Sequence, residues 1–329
     1  MSMRTAGLAI LYNGQAVTAD LAPHLLGWDY TDNAHGKLDS ISLRLEDKAG
    51  LWRGSWHPML NDTLDITLYT ENWHGDGRQE VPLGLFEIDE PEYSGPPDAI
   101  ALQGISLPAG SSLRGEDQYR AWEEVRLSQV AGELATAGGL ELLYDVPWDP
   151  LYDRLEQQDQ GDLEFLLGLA SREALGLKVD RQRLVVYDRI AFEESAPVIA
   201  LVRGDGQIIS YSFRDAARER FAAVHIEYEE LTYDFAIPNA VGRTLRISGQ
   251  RVISLAEAER VAKRTLWQNN IQAATCSITC VGNTSLLAGM NISLGGFDRY
   301  DGLWHIDEAR HSGPGYTCSL SMHRVLAGY

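Results

Sequence analysis

Apolar and polar residues alternate with a period of two along many short segments of the chain. Between positions 41 and 46, Ile41, Leu43 and Leu45 alternate with polar residues, and the segment TLDITL at 63–68 repeats the pattern. Such alternation predicts strands with one buried face and one face in water. Gly and Pro punctuate these segments as turn residues do. The pattern therefore predicts a mainly β protein.

Two of these strand segments resemble each other closely. Gly84–Pro96 reads GLFEIDEPEYSGP and Gly302–Pro314 reads GLWHIDEARHSGP, with eight of thirteen positions identical. In each case the Gly-Pro pair marks a turn that leads into a last alternating strand, Ala99–Ile105 in the first case and Tyr316–Met322 in the second. The chain is therefore predicted to contain an internal repeat.

Two weaker matches occur in the same order and extend the repeat. Tyr30–Asp47 aligns without gaps on Phe213–Glu230, with agreement at the apolar positions, and TLDITL aligns on GMNISL at 289–294. In the second alignment Leu64, Ile66 and Leu68 correspond to Met290, Ile292 and Leu294. Because closure removes exposed strand edges, each repeat is expected to form a small antiparallel β-barrel, the first at 1–105 and the second at 201–329.

The region between the repeats, 106–200, has a different periodicity. Helices are predicted at Ser128–Ala137 and Asp162–Leu175, and the segment LKVDRQRLVVYD at 177–188 predicts a strand, a turn and a strand. We therefore expect a small α+β domain between two barrels. An insertion at 231–276 in the second repeat should carry one more helix, Ser254–Asn270, whose first turn has the capping-box residues Ser254 and Glu257.

Composition and charge narrow the function classes. The chain has 329 residues, 44% of them hydrophobic, and a formal net charge of -19. Such a charge argues against binding nucleic acid through its phosphates. The run Ala6–Tyr12 is too short for a signal-peptide core or a membrane span. Cys276, Cys280 and Cys318 show no CxxC spacing, so we expect buried, reduced thiols.

Several groups of residues have the side chains that a chemical site would need. The carboxylates that lie close in sequence are Glu87 with Asp89, Glu227 with Glu229, and Asp145 with Asp149 and Asp153. Glu87 and Asp89 share a strand face, as a glycoside-cleaving pair would require. With 47 acidic residues such pairs arise from composition alone, so we interpret them as solvated faces.

The remaining candidates are interpreted in the same way. His305, Asp307 and His311 lack a ligand spaced for zinc. The segment 110–112 (Gly-Ser-Ser) is not a nucleophile elbow, and 203–207 is predicted to be a tight hairpin turn rather than a phosphate loop. The tryptophans at 28, 52, 56 and 73 suit a core or an interface better than a sugar platform. We therefore predict no catalytic, cofactor-binding or metal-binding residues.

Two segments resemble a known family. The run QGDLEFLLGLASREALGLKVDRQRLVVYD (160–188) is similar to a signature of the phage late control D proteins and the tail hub proteins of contractile injection systems. The C-terminal run resembles the closing module of the same family at Leu287, Gly289, Ile306, His311 and the pair Gly315-Tyr316. The proline that the family often has before the glycine equivalent to Gly289 is missing here.

The resemblance implies a structural protein rather than an enzyme. It implies a homotrimer in which six tube-like barrels form a pseudo-sixfold ring that joins the sixfold tail tube to the threefold central spike. The implied partners are the spike, the tube, the baseplate wedge and the tape-measure proteins. The implied location is the tail baseplate of a virion, assembled in the host cytoplasm, with no membrane insertion and no specific contact to DNA in the lumen.

Two alternatives stay open on the sequence. A tail-associated cell-wall hydrolase would use the Glu87 and Asp89 pair on glycan. A secreted carbohydrate-binding β protein would use the tryptophans, although no signal peptide supports secretion.

Overall fold

The structure is a computed structural model that describes residues 4–59, 61–75, 77–106, 111, 113, 115 and 117–329, the side chain of Ala217 excepted. The N-terminal part contains one short helix, α1 (Thr18–Leu21). Its strands are β1 (Thr5–Tyr12), β2 (Gln15–Ala16), β3 (Leu25–Asn33), β4 (Ser40–Glu46), β5 (Thr63–Glu71), β6 (Arg78–Ser94) and β7 (Ala99–Ile105).

The middle part is a mixture of helices and strands with a core of its own. In chain order its elements are β8 (Gln118–Arg126), α2 (Leu127–Ala137), β9 (Glu141–Asp145), β10 (Leu151–Gln160), α3 (Asp162–Arg172), β11 (Leu175–Asp180), β12 (Arg183–Asp188) and α4 (Arg189–Glu193). Leucines and alanines of α2 and α3 pack on the sheet β11-β12-β9. The two predicted helices and the strand pair at 177–188 are thus confirmed, except that α3 ends at Arg172 and Leu175, the predicted last residue of the helix, begins β11.

The C-terminal part returns to strands around one long helix. Its elements are β13 (Ile199–Val202), β14 (Ile208–Asp215), β15 (Phe221–Tyr228), β16 (Leu231–Ala236), β17 (Arg243–Ser248), α5 (Leu255–Asn270), β18 (Ala274–Val281), β19 (Asn291–Gly295), β20 (Gly302–Gly313) and β21 (Thr317–Arg324). Helix α5 packs its apolar face on the separate sheet β16-β15-β17.

Both ends of the chain share one sheet of 13 strands. Its main path runs β14-β18-β21-β20-β3-β4-β7-β6-β5-β1-β2, and β13 joins it through β19, which pairs with β20. One hydrophobic core underlies the strands from both ends. The mainly β class with an α+β part is confirmed. In the described part of the chain neither end closes into a barrel, because the sheet keeps free edges.

Strand pairing shows the repeat directly. The strands β3, β4, β7, β6 and β5 are neighbours in this order, and β14, β18, β21, β20 and β19 follow the same order. We call these sets the first repeat and the second repeat. A β-bulge lies at Ile88/Glu90 in β6 and at Ile306/Glu308 in β20, which are identical positions of the two aligned segments.

The registers correct two of the sequence alignments. Tyr30 and Phe213 do hold equivalent places in β3 and β14. The equivalent of β4 is β18, however, whereas the aligned strand β15 lies in the separate sheet, so the inserted segment includes β15. Leu64 and Ile292 both lie opposite the aromatic residue of the aligned segments, so the alignment of TLDITL is wrong by two positions.

The N-terminus of α5 shows why this helix begins where the sequence predicts. The Oγ of Ser254 accepts a hydrogen bond from the backbone N–H of Glu257 at 3.2 Å, and Ile253 N–H donates to Glu257 Oε2 at 2.9 Å. The first bond satisfies a donor that the first helical turn leaves without a partner, and the second holds the Glu257 side chain against the residue before the cap.

We expect Ser254→Ala to lower the free energy of unfolding by about 1 kcal/mol, because it removes this cap. Urea denaturation followed by circular dichroism measures the change. Ser248→Ala in the exposed part of β17 is the control and should stay within about 0.5 kcal/mol of the parent protein. Equal effects of the two substitutions would contradict the capping role.

Candidate functional site: two free strand edges

The two repeats are joined inside the chain by a strand pair. Strand β20 runs antiparallel to β3 from Glu308 opposite Asn33 to Gly313 opposite Trp28. Arg310 reaches Asp29 at 2.9 Å, and the hydroxyl of Ser312 donates to the same carboxylate at 2.6 Å. The pair therefore combines a backbone ladder with charge-assisted bonds.

Aromatic side chains fill the inner face of this junction. Trp28 and Tyr30 on β3 are each only 4% exposed. The Tyr30 ring lies 6.0 Å from the ring of His311 on β20, and the Trp28 ring lies 5.9 Å from Tyr316. The side chains of the junction are thus buried like those of a domain core. The junction shows how one repeat can pack against another.

The equivalents of both joined edges are free in the described part of the molecule. Strand β14 matches β3 and has β18 as its only neighbour, while residues 90–94 of β6 match the paired half of β20 and have only β7. Tyr211 and Tyr93, which match Trp28 and His311, are 43% and 38% exposed. The chain thus displays one edge of each kind.

The two free edges carry opposite charges at facing positions. In the register of the internal junction, Glu92 of β6 would lie opposite Arg214 of β14. Arg214 is more than half exposed and at present donates to Glu219 at 2.7 Å and to the carbonyl of Gln272 at 3.0 Å. Opposite charges directly across a strand pair are favourable, whereas like charges are not.

A partly buried cation between two buried carboxylates ties the middle part to the first repeat. The ammonium of Lys178 on β11 donates to Asp32 and lies 3.0 Å from Asp39 and 3.2 Å from the carbonyl of Asn33. Burial raises the pKa of Asp39 to about 6 although Lys178 opposes the shift. Asp32 also accepts the N–H of Ala288 from the second repeat at 2.8 Å, so this cluster joins three parts of the fold.

A second buried cation ties the middle part to the second repeat. The His323 ring contacts Asp307 at 2.8 Å through Nδ1 and Glu193 of α4 at 2.7 Å through Nε2. Burial alone would lower the pKa of His323, but the two carboxylates raise it to about 9. The neighbouring His305 is held neutral, because burial lowers its pKa to about 4.

The structure does not bring the sequence candidates together as a reaction centre. Glu87 is buried while Asp89 is exposed, and Glu229 lies in the turn after β15. Asp149 accepts from the N–H and hydroxyl of Ser128 at the start of α2, and Asp153 pairs with Arg251 at 2.5 Å. These roles stabilise the fold.

The histidines, the serine and the turn have structural roles as well. His305 contacts Asn291 at 2.8 Å, and His311 contacts Tyr316 at 2.8 Å and Cys318 at 3.3 Å. Among the described residues no group of three or more acidic, His or Cys side chains is arranged to hold a metal ion. Ser111 donates to the carbonyl of Gly138, and positions 110 and 112 lie outside the described residues.

Two further expectations have clear outcomes. The segment 203–207 is a tight turn closed by Asp205, but it is not a hairpin, since β13 pairs with β19 and β14 with β18. All three cysteines are buried and unpaired. No helix in the described ranges combines the length and the apolar character that crossing a bilayer requires.

Sequence reasoning missed the free edges and both cations, Lys178 and His323. Lys178 is one of only four lysines in the chain and lies on a strand at a position packed against the first repeat, a rarity that hinted at its role. No local signal marks His323, because its carboxylates come from distant positions.

Solved tail proteins share this fold. No family model matches the chain, and no curated protein matches it either. A tail protein from Neisseria meningitidis MC58 is 15% identical with a TM-score of 0.70 over 97% of this chain and 96% of that one. A 43 kDa tail protein of prophage MuSo2 from Shewanella oneidensis is 13% identical, with a TM-score of 0.71 over 98% and 99% of the two chains.

A third solved structure extends the comparison to secretion systems. An Escherichia coli component of the type VI secretion system, described as similar to the T4 bacteriophage tail proteins gp27 and gp5, is 12% identical. Its TM-score is 0.59 over 93% of this chain and 75% of that one. The protein therefore has the fold of these phage tail proteins and of this secretion-system component.

Proposed function

We propose that the protein is a structural hub of a contractile phage tail or a related injection system, where it joins the tail tube to the central spike. The observation that carries the proposal is the internal repeat with two free, complementary edges. A chain that displays one edge of each kind associates head to tail, and such contacts form a closed ring when the rotation closes.

Three chains with two repeats each would present six similar units. A tube is sixfold and a spike is threefold, so an adaptor between them must show six similar units on one side and threefold symmetry on the other. Two unlike repeats per chain meet both demands. The domain limits 1–105, 106–200 and 201–329 remain part of this proposal.

The contact between chains would repeat the internal junction. Residues 90–94 of β6 in one molecule would pair with β14 of the next, with Tyr93 opposite Phe213 and Glu92 opposite Arg214. Pro91 replaces Ala309 of the junction and has no N–H group, so the backbone ladder has one donor fewer than in the junction. The exposed tyrosines Tyr93 and Tyr211 would then become buried, as the equivalent residues already are.

The remaining surfaces would meet the other baseplate components. We propose the spike, the tube, the wedge and the tape-measure proteins as partners, and the virion tail as the location. The excess of 47 acidic over 28 basic residues would let DNA pass through the ring without sticking. We propose no catalytic activity.

Reversing one charge of the proposed contact should break the ring. We expect the parent protein to sediment as a trimer and Arg214→Glu or Glu92→Arg each to weaken association at least about tenfold, because like charges then face each other. Analytical ultracentrifugation over a range of concentrations measures the change.

The double variant carries the test. Combining Arg214→Glu with Glu92→Arg restores opposite charges and should restore the trimer, while Arg246→Glu on the separate sheet is the control and should leave it unchanged. A parent protein that stays monomeric alone and with its spike, or single reversals without effect, would count against the proposed contact.

A further inference from the structure

The first repeat carries a cavity of about 460 Å³ at its surface. It lies where the connection from β4 to β5 folds over β1 and α1. The side chains that matter here are those of Tyr12, Asp20, Trp52, Trp56, His57 and Asp62.

The walls of the cavity are aromatic and held in place. The rings of Trp52 and Trp56 lie 5.5 Å apart and nearly perpendicular, and Trp56 also meets the ring of His24 at 6.1 Å. The Nδ1 of His57 lies 3.3 Å from the carbonyl oxygen of Trp52. Because Trp52 is only 3% exposed, its ring is part of the fold and fixes the position of Trp56, whose half-buried ring is the one available to a ligand.

The cavity carries negative charge that the molecule itself does not balance. Asp62 accepts hydrogen bonds from the Tyr12 hydroxyl, from Asn13 at 2.7 Å and from the N–H of Met59 at 2.6 Å. Although burial opposes the shift, these bonds lower the pKa of Asp62, so the carboxylate stays ionised. All three donors are neutral.

A second carboxylate, Asp20 on α1, is exposed at the cavity. No lysine or arginine is among the described residues that line this space. A carboxylate pair beside aromatic faces favours a cation, since both the charge and the ring quadrupoles attract it.

The loop that forms this cavity is long in the first repeat and short in the second. The connection from β4 to β5, residues 47–62, carries Trp52, Trp56 and His57, whereas the equivalent connection from β18 to β19, residues 282–290, is shorter and contains no aromatic residue. The repeats match elsewhere in strand order and register, so this longer connection makes them chemically different.

We propose that this cavity binds a lysine or arginine side chain presented by a partner protein. The cation would lie against the indole ring of Trp56 with its charge near Asp20 and Asp62. The site occurs once per chain, so it would occur three times in the proposed trimeric ring and would suit a threefold partner. Only this number depends on the proposed function.

Binding of the side chain can be tested on the isolated full-length chain. We would label its eight tryptophans with ¹⁵N at the indole nitrogen, assign Trp52 and Trp56 by substitution with phenylalanine, and titrate with the amides of Nα-acetyl-arginine and Nα-acetyl-lysine. Both amides should shift the two indole signals in a saturable way, and added salt should weaken the effect.

Matched variants separate charge from shape. Asp20→Asn should weaken binding of the cationic amides about two- to fivefold, as expected for one partly exposed charge pair. Glu230→Gln, an exposed carboxylate away from the cavity, should leave binding unchanged. The neutral, similarly shaped amide of Nα-acetyl-norleucine should produce no saturable shift.

Three results would overturn the proposal: equal binding of the norleucine amide, binding of chitotriose in place of the cations, or no shift at either tryptophan. None of them depends on the oligomeric state. Loss of this binding and loss of the trimer are therefore independent observations.

Discussion

Replacing Lys178 by methionine is expected to lower the free energy of unfolding by about 3–5 kcal/mol at pH 8, the range measured when one partner of a buried ion pair is removed. The ammonium of Lys178 lies between Asp32 and Asp39, both of which are almost fully buried. Methionine keeps most of the chain's packing but leaves two like charges without a cation. Urea denaturation of the full-length protein measures the loss.

The loss should depend on pH. Burial already holds the pKa of Asp39 at about 6 with Lys178 present, and removing the cation raises it further. A carboxyl group whose pKa is higher in the folded than in the unfolded state contributes stability at low pH and loses it as pH rises through the folded value. The deficit of Lys178→Met should therefore be smaller at pH 5 than at pH 8.

Lys263→Met is the matched control. Lys263 lies on α5 and is about as exposed as Lys178, whose partners Asp32 and Asp39 are buried. Lys263 instead pairs with Glu259, a half-exposed carboxylate one turn away at 2.8 Å. Such pairs contribute about 0.3–0.5 kcal/mol. If Lys178→Met cost no more than Lys263→Met at pH 8, the buried cluster would not be a major tie between the middle part and the first repeat.

The internal repeat could be predicted because short segments of the sequence carry it. The segments at 84–96 and 302–314 share identical residues, and the structure places them in equivalent strands with the bulge at the same position. Helices α2, α3 and α5 were predictable for the same reason, since helical spacing, the glycines after α2 and the Ser254 cap are local signals. The end of α3 was not, because Ala174 rather than a glycine has the positive φ that follows this helix.

What failed depended on partners that lie far apart in the chain. The alternating pattern of β15 is the same whether the strand pairs in the main sheet or in the sheet under α5, so period two could not decide its place. Closure into barrels was inferred from the need to cover edges. In the structure β20 covers the edge of β3, and the edge of β14 stays free. The sequence of a single strand does not determine which edges are covered.

The free edges also show where sequence and function meet. In a monomer the exposed Tyr93 and Tyr211 and the bare edges of β6 and β14 are a hazard, because unpaired strands invite association. Their equivalents in the internal junction are buried and paired. Because the fold already pairs two such edges within the chain, the same kind of strand pairing can cover the remaining edges between chains.

Substituting His323 by glutamine is the second change for which we expect a large effect, a loss of about 3–5 kcal/mol at pH 6. The imidazolium bridges Asp307 of β20 and Glu193 of α4, and Trp267 of α5 donates to the same Glu193 at 3.3 Å. Glutamine is neutral and cannot reproduce both contacts, so the buried Glu193 and the partly buried Asp307 lose this counter-charge.

The pH dependence distinguishes the lost charge from lost packing. The pKa of His323 is raised to about 9 in the folded protein, compared with an ordinary value of 6.5. A histidine whose pKa is raised on folding contributes its full stabilisation below pH 6.5 and loses it as pH rises through 9. For this shift the free energy of unfolding changes by about 3 kcal/mol. Stability of the parent protein should therefore fall over this interval, while that of His323→Gln should stay nearly level.

His225→Gln is the matched control for this experiment, because His225 also lies beside two carboxylates, Asp234 at 2.8 Å and Glu227 at 3.8 Å, but on a solvated strand face. Its replacement should cost less than about 1 kcal/mol. Parallel pH profiles for the parent and His323→Gln would contradict a buried imidazolium. A difference in stability that is full below pH 6.5 and shrinks between pH 6.5 and 9 would show that the contact between α4 and the second repeat depends on one proton.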